Sequence, residues 1–325
     1  KQVESQMSAF ISLALDATHR LSGQNAALLG GAINLSPALQ QLHLQRAPGL
    51  DDAACEALCL AMSKRASPHG VLCNRITTLC LDGNGLTNRS AVALAKAAKA
   101  GVFRTLANLS LGHNRIGPSG LKALCAASRR ADSPIGCLQE LNLFSNGFGN
   151  DGCIALADEF VQGAFRSLHN LYLGANDIGT AGIEHLAESL DDDDDLFSED
   201  APLPNLRRLH LYRNDIGKRG AIMLGKGLHE WALRACSEIV LDGNPEITDR
   251  ARRFVSDALV RREWARTLLR VWREHVRRAL LRKAARRTGF ATTVASGSGR
   301  QLAVVERKAA MVLAQWRVQS VSLVS

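Results

Sequence analysis

Pairs of leucines two positions apart recur along the chain. After each pair come two variable positions, an asparagine, an aliphatic residue, a glycine and a run of alanines and leucines at helical spacing. The clearest copy reads Leu109-Ser110-Leu111-Gly112-His113-Asn114-Arg115-Ile116, with Gly120 and Leu124 after it. The frame returns at Leu141/Leu143/Asn146/Phe148/Gly152/Leu156, at Leu171/Leu173/Asn176/Ile178/Gly182/Leu186 and at Leu209/Leu211/Asn214/Ile216/Gly220/Leu224. Leu79/Leu81/Asn84/Leu86 is a further copy, with Ser90 in the glycine place. Two copies are looser: Leu42/Leu44 has Ala47 where asparagine belongs, and Ile239/Leu241/Asn244 closes the series. Each of these carries one extra residue beginning with proline, Pro48 and Pro245. Successive asparagines from Asn84 to Asn244 lie 30, 32, 30, 38 and 30 residues apart.

Alternation of period two predicts a short strand whose leucines turn inward, and stacked copies join into one continuous core. An asparagine amide donates and accepts at once, so Asn84, Asn114, Asn146, Asn176, Asn214 and Asn244 are predicted to form a ladder on backbone groups where the strands end. Asn150, outside that ladder, is predicted to be exposed. The glycine and the apolar run after it, as in 119–128 and 180–190, predict a helix that lays its apolar stripe on the strand layer.

A fixed period with a Leu-x-Leu-x-x-Asn core resembles leucine-rich repeats. With a full helix in every repeat, it is similar to the ribonuclease-inhibitor-like subfamily, whose relatives include the Ran GTPase-activating protein and the repeat domains of NOD-like receptors. Over residues 36–250 the resemblance implies an α/β fold, a right-handed α/β horseshoe of about seven repeats. It implies a surface for protein partners rather than one chemistry, because such scaffolds host unrelated functions. A regulator of a small GTPase enters only through this resemblance.

Residues 1–35, with Phe10, Leu13, Leu15, Leu21 and Ala26-Ala27-Leu28-Leu29, are predicted to be a helical cap on the open N-terminal end. An acidic insertion at 191–204, opening with five aspartates, lengthens the interval before Asn214 and reads as a solvated loop. Residues 251–290 predict a C-terminal basic amphipathic helix, and 291–325 a hinge, a short helix and a tail.

The net charge of +9 over 325 residues hides an asymmetry. Between Asp249 and Arg287 stand 14 lysines and arginines against 4 acidic residues, and the chain after Thr288 adds a surplus of three. The first 248 residues therefore carry −4. No apolar run approaches the roughly 18 residues that span a membrane. Eight cysteines at repeat positions read as free thiols and point to an intracellular chain, cytoplasmic, cytoskeletal or organellar.

Gly220 to Gly227 nearly spells a phosphate-binding loop, but lacks the final Ser or Thr and lies on a repeat helix. Cys55, Cys59, His69 and Cys73 have spacing that suits zinc, yet Cys55 and Cys59 are one turn apart where small buried side chains belong. Neither reading is adopted. The residues call for no cofactor, no metal and no catalytic constellation.

The repeat frame names the outward strand positions. One row is His43, Cys80, Ser110, Asn142, Tyr172, His210 and Val240; the next is Gln45, Asp82, Gly112, Phe144, Gly174, Tyr212 and Asp242. Phe144, Tyr172, His210 and Tyr212 gather in neighbouring repeats, as aromatic anchors for a protein partner do. Arg261, Arg262, Arg266, Arg270, Arg273, Arg277, Arg278 and Arg282 line the basic helix. Three readings suit it: packing of its apolar stripe on the last repeat or on a larger assembly, acidic protein surfaces included; the phosphates of RNA as in an organellar ribosome; and calmodulin. The expectation is a non-catalytic interaction scaffold, an accessory subunit of a large assembly. Its concave face would hold one partner and its basic helix a second, acidic surface.

Overall fold

The computed structural model describes residues 11–15, 20–36, 38–64, 75–129, 134–190, 202–229, 233, 235–261 and 263. Eight three-residue strands form one parallel sheet in chain order: β1 (Ser12–Ala14), β2 (Gln41–His43), β3 (Thr78–Cys80), β4 (Asn108–Ser110), β5 (Glu140–Asn142), β6 (Asn170–Tyr172), β7 (Arg208–His210) and β8 (Glu238–Val240). The intervening helices are α1 (Gly23–Asn34), α2 (Asp52–Ser63), α3 (Asn88–Lys99), α4 (Pro118–Ser128), α5 (Gly149–Val161), α6 (Thr180–Ser189) and α7 (Lys218–His229). A further helix, α8, runs over 249–261. This is an α/β leucine-rich repeat solenoid.

The first leucines of all the copies pair with one another, Leu42 with Leu79, Leu79 with Leu109, and so on to Leu209 with Ile239. Parallel strands of three residues offer few hydrogen bonds, so the apolar rows beneath them carry the stacking. The second leucines, Leu44, Leu81, Leu111, Leu143, Leu173 and Leu211, are wholly buried.

The segment expected to be purely helical differs. Ser12–Ala14 is a strand, with Leu13 in register with Leu42, and the helix starts only at Gly23. Leu13 and Leu15 are one more Leu-x-Leu pair, and a pair this short fits the period of a strand as well as one face of a helix. The first unit is thus a repeat in its own right.

At the strand ends the asparagines do what an amide alone can do. Asn146 Oδ1 accepts from Ile116 N of the preceding repeat, and its Nδ2 donates to the carbonyls of Leu111 and Leu143, each at 3.0 Å. Asn146 N in turn donates to Asn176 Oδ1 at 2.7 Å. Asn84, Asn114, Asn214 and Asn244 repeat the pattern. The acidic insertion leaves the ladder unbroken, since Asn176 N and Ile178 N both reach Asn214 Oδ1. Residues 191–201 of that insertion lie outside the described residues. The turn before each ladder residue is left-handed: φ is 52° to 55° at His113, Ser145, Ala175 and Arg213 and 71° at Gly83 and Gly243, and Arg46, before Ala47, matches them at 50°.

Asn150 is not an exposed bystander. Its Oδ1 accepts from Gly179 N at 2.8 Å and Gly182 N at 3.0 Å, at the start of the next helix. Asn88 does the same for Gly117 and Gly120, and Thr180 Oγ1 accepts from Gly217 N. Asp52 accepts from Thr87 and Ser90. The N-termini of α3, α4, α6 and α7 are thus capped from the repeat before, and at Gly117 and Gly179 the cap residue has no side chain of its own. The repeat glycine makes room: a Cβ at Gly120 would lie 2.7 Å from Asn88 Oδ1, and one at Gly182 2.8 Å from Asn150 Oδ1. Helix α5 lacks this device, since Pro118 stands where its donor repeat would supply the acceptor.

The compact unit extends to Leu259, past the boundary drawn at 250. Ala251, Val255 and Ala258 are buried, and Phe254 fills the space over Gly225, where a Cβ would come within 2.6 Å of its ring. Arg252 pairs with Asp242 at 3.1 Å. The first three turns of the segment read as a basic helix therefore close the core after the last repeat.

Replacing Asn146 with Ala is expected to cost on the order of 1–3 kcal/mol, because three backbone groups lose their partner inside the core. Asn150→Ala should also destabilise, by about 1 kcal/mol, as the loss of a helix cap does. Urea denaturation of the two variants measures both; an Asn150→Ala protein as stable as the parent would show that the inter-repeat cap contributes nothing.

Candidate functional site

The sheet register brings the outward rows into line, so Asn142, Tyr172 and His210 stand side by side on β5, β6 and β7. Tyr172 and His210 stack with ring centroids 4.5 Å apart and planes 18° apart. Phe144 and Tyr212 stack at 5.2 Å, also at 18°. These last two are two strands apart, farther than stacking allows at a spacing of about 4.8 Å per strand. They lean together over Gly174, where a Cβ would lie 2.8 Å from Tyr212 Cε1. His210 meets Tyr212 edge to face at 6.4 Å, and His113 meets Phe144 likewise at 4.9 Å. Five rings thus make one continuous platform across β4 to β7, in geometries that aromatic quadrupoles favour.

The structure brings all four predicted aromatics together and adds His113, which sequence reasoning missed. His113 occupies the left-handed turn position before the ladder asparagine, from where its side chain reaches the rim of the sheet. The repeat frame marks that position, but it is no longer part of the strand alternation.

A polar network borders the platform. Asn142 Nδ2 donates to Ser110 Oγ at 2.9 Å, and Ser110 Oγ donates to Asp82 Oδ1 at 2.6 Å. The same carboxylate oxygen accepts from Gly112 N, which is possible because a Cβ there would collide with it at 2.7 Å. On the other flank Glu140 accepts from Asn170 Nδ2 at 3.3 Å, and Arg208 pairs with Glu238 at 3.1 Å. Glu140, Asn170, Arg207 and Arg208 line a polar cleft of about 470 Å³ there.

Burial shapes the titration of these groups. It raises the Tyr172 phenol above its ordinary value, with the field of Glu140 acting the same way. It pushes the Cys80 thiol up to about 11, aided by Asp82 and Glu140. It depresses the His210 imidazole, against the opposing pull of Glu238, and His210 Nε2 is buried without a hydrogen-bond partner among the described residues. His210 is therefore neutral at pH 7 and serves as a flat ring rather than a charge.

Other candidates fall elsewhere. Arg261 is exposed on α8; Arg262, Arg266, Arg270, Arg273, Arg277, Arg278 and Arg282 lie outside the described residues. Cys55 and Cys59 are buried in α2, while His69 and Cys73 lie outside the described residues. The Gly220–Gly227 stretch sits within helix α7. Among the described residues no helix is long and apolar enough to cross a membrane.

A leucine-rich repeat family model matches residues 104–125, 137–157 and 203–225. The chain is similar to the ribonuclease inhibitor of Sus scrofa, 30% identical over 248 residues that cover 74% of this chain and 48% of the relative. It is 29% identical over 193 residues to the NACHT, LRR and PYD domains-containing protein 3 of Macaca mulatta, covering 54% of this chain and 17% of that protein. The human NACHT, LRR and PYD domains-containing protein 13 is 39% identical over 90 residues, 27% of this chain and 8% of its own length. The chain spans less than half the length of each of these curated relatives. Among solved structures, the crystal structure of a TLR13–ssRNA13 complex aligns with a TM-score of 0.38 at 15% identity, over 74% of this chain and 30% of that one.

Because the folded state disfavours charged His210, the unfolded chain binds more protons there below the ordinary imidazole value of 6.5. The stability tied to His210 is complete above that value and is lost as the pH falls. The melting temperature of the parent is expected to drop more between about pH 7 and pH 5 than that of His210→Phe, which keeps the stack without the titration. Parallel curves for the two proteins would contradict the assignment.

Proposed function

We propose that this chain, a leucine-rich repeat protein of the ribonuclease-inhibitor-like type, works as a non-catalytic scaffold that holds a protein partner on its concave face. The observation that carries this reading is the five-ring platform. Rigid aromatic side chains lose little conformational freedom on association, and fully packed aromatic anchors dominate binding energies where they occur. The platform's rings are already held by one another and by glycines beneath them, so a partner meets a surface that needs no reordering. The ribonuclease inhibitor, by its name, acts on a protein, which is in keeping with this reading.

The scaffold would act as an accessory subunit of a larger assembly. Its second attachment would be the basic segment, where 14 basic residues face 4 acidic ones between Asp249 and Arg287. Such a surplus favours an acidic surface through encounter rate and specificity more than through raw affinity.

Two variants test these attachments separately. Tyr172→Ala combined with Tyr212→Ala should weaken partner binding by roughly 2 kcal/mol or more while leaving the far-ultraviolet circular dichroism unchanged. Quantitative cross-linking mass spectrometry on native lysate reads the loss; undiminished concave-face cross-links would mean that the platform is ordinary surface. Glu substitutions at Arg270, Arg273 and Arg277 should release the protein from its assembly in sedimentation without altering the melting temperature of the repeat unit. Unchanged co-sedimentation would reject the basic segment as an attachment.

A further inference from the structure

Building on the reading of the platform as a partner site, we propose that its partner presents an arginine, seated between the free face of Tyr172 and the Glu140 carboxylate. The occupant of the concave face is then a basic protein segment. Three observations converge on that seat. First, Tyr172 stacks on His210 toward β7, and on the β5 side its register partner is the shorter Asn142, with no ring stacked there among the described residues. Second, Glu140 lies two residues before Asn142 on the same face of β5, diagonal to Tyr172, and accepts a single long hydrogen bond, from Asn170 at 3.3 Å. Third, the strand segments 78–82, 108–112, 140–144 and 170–174 carry two carboxylates, Asp82 and Glu140, and no lysine or arginine. The nearest cations along the sheet are Arg207 and Arg208, which line the same cleft as Glu140; Arg208 pairs with Glu238, and neither pairs with Glu140 among the described residues.

The chemistry of the seat selects among cations. A guanidinium is planar, stacks on an aromatic face and still presents a fork of donors to a carboxylate. An ammonium is a hydrated point charge that does one of these at a time. The negative field of these two carboxylates acts against phosphates, so this part of the face suits a basic peptide better than a nucleic acid. That field is felt within the fold, since Asp82 and Glu140 both act on the Cys80 thiol and Glu140 on the Tyr172 phenol.

The test uses the full chain as bait for a displayed random peptide library, with counter-selection on the Tyr172→Ala/Tyr212→Ala variant. The expected outcome is a consensus that contains arginine. Binding of a synthetic consensus peptide should fall about tenfold or more when that arginine becomes citrulline, and by a similar factor in Glu140→Gln. Glu140→Lys should prefer the peptide with glutamate in place of arginine. Circular dichroism of each variant checks the fold. A platform-dependent consensus without arginine, or binding indifferent to Glu140→Gln, overturns the arginine seat and leaves the platform standing as a protein site. A single-stranded RNA oligomer that binds the parent but not Tyr172→Ala overturns it in favour of RNA. If no peptide depends on Tyr172 and Tyr212, both the seat and the platform reading fall.

Discussion

The constraint on which this molecule depends is the fate of the backbone groups where each short strand ends. Three-residue strands leave most of their neighbouring turn groups outside the sheet, and the apolar rows bury those groups away from water. An unpaired buried amide or carbonyl costs about 1–3 kcal/mol, and seven turns repeat the problem. One asparagine per repeat solves it by accepting from the repeat before and donating to two carbonyls, as Asn114, Asn146 and Asn214 do. The left-handed turn at the preceding residue aims that side chain inward, and four non-glycine residues, His113, Ser145, Ala175 and Arg213, adopt it. Register follows: the asparagine bonds link each turn to the next, so strands cannot slip by one position without breaking the ladder and turning the leucines outward.

Fixed register is what turns scattered outward residues into a surface. Tyr172 meets His210 only because their strands are aligned residue for residue. Phe144 meets Tyr212 only because the position between them, Gly174, has no side chain. Glycine thus has two distinct duties here. On the helix side, Gly120 and Gly182 admit the capping asparagines; on the concave side, Gly112 and Gly174 admit a carboxylate and a pair of rings.

The leucine, asparagine and glycine rows were legible in the sequence because each repeats at a fixed offset and each position has one dominant cause. Legibility failed where a residue answered to two periods or to a neighbour. Leu13 and Leu15 fit both a strand and a helix face, and apolar residues downstream tipped the reading toward helix, whereas the structure pairs Leu13 with Leu42. Asn150 looked solvated because its partners, Gly179 and Gly182, are a full repeat away and show no side chain that would advertise the bond. Its signal was nonetheless present: Asn88, Asn150 and Thr180 each stand four residues after a ladder asparagine. His113 escaped because a left-handed turn residue belongs to neither the strand alternation nor the helix. The aromatic cluster is legible as positions; its stacking is not, since it depends on two rings meeting across the strand between them, over Gly174.

Charge is partitioned along the chain as sharply as hydrophobicity is across it. The repeats are acidic and the segment from Asp249 is strongly basic, yet the two signs do not simply divide at the last strand. Arg252 turns back to Asp242, and Ala251, Val255 and Ala258 complete the core. The beginning of the basic segment is therefore tied into the repeat unit by burial, which is worth far more than an exposed ion pair. Burial of Val255 and Ala258 is not screened by salt, so this closure of the core holds whatever the ionic strength, whereas the Arg252–Asp242 pair weakens as salt rises.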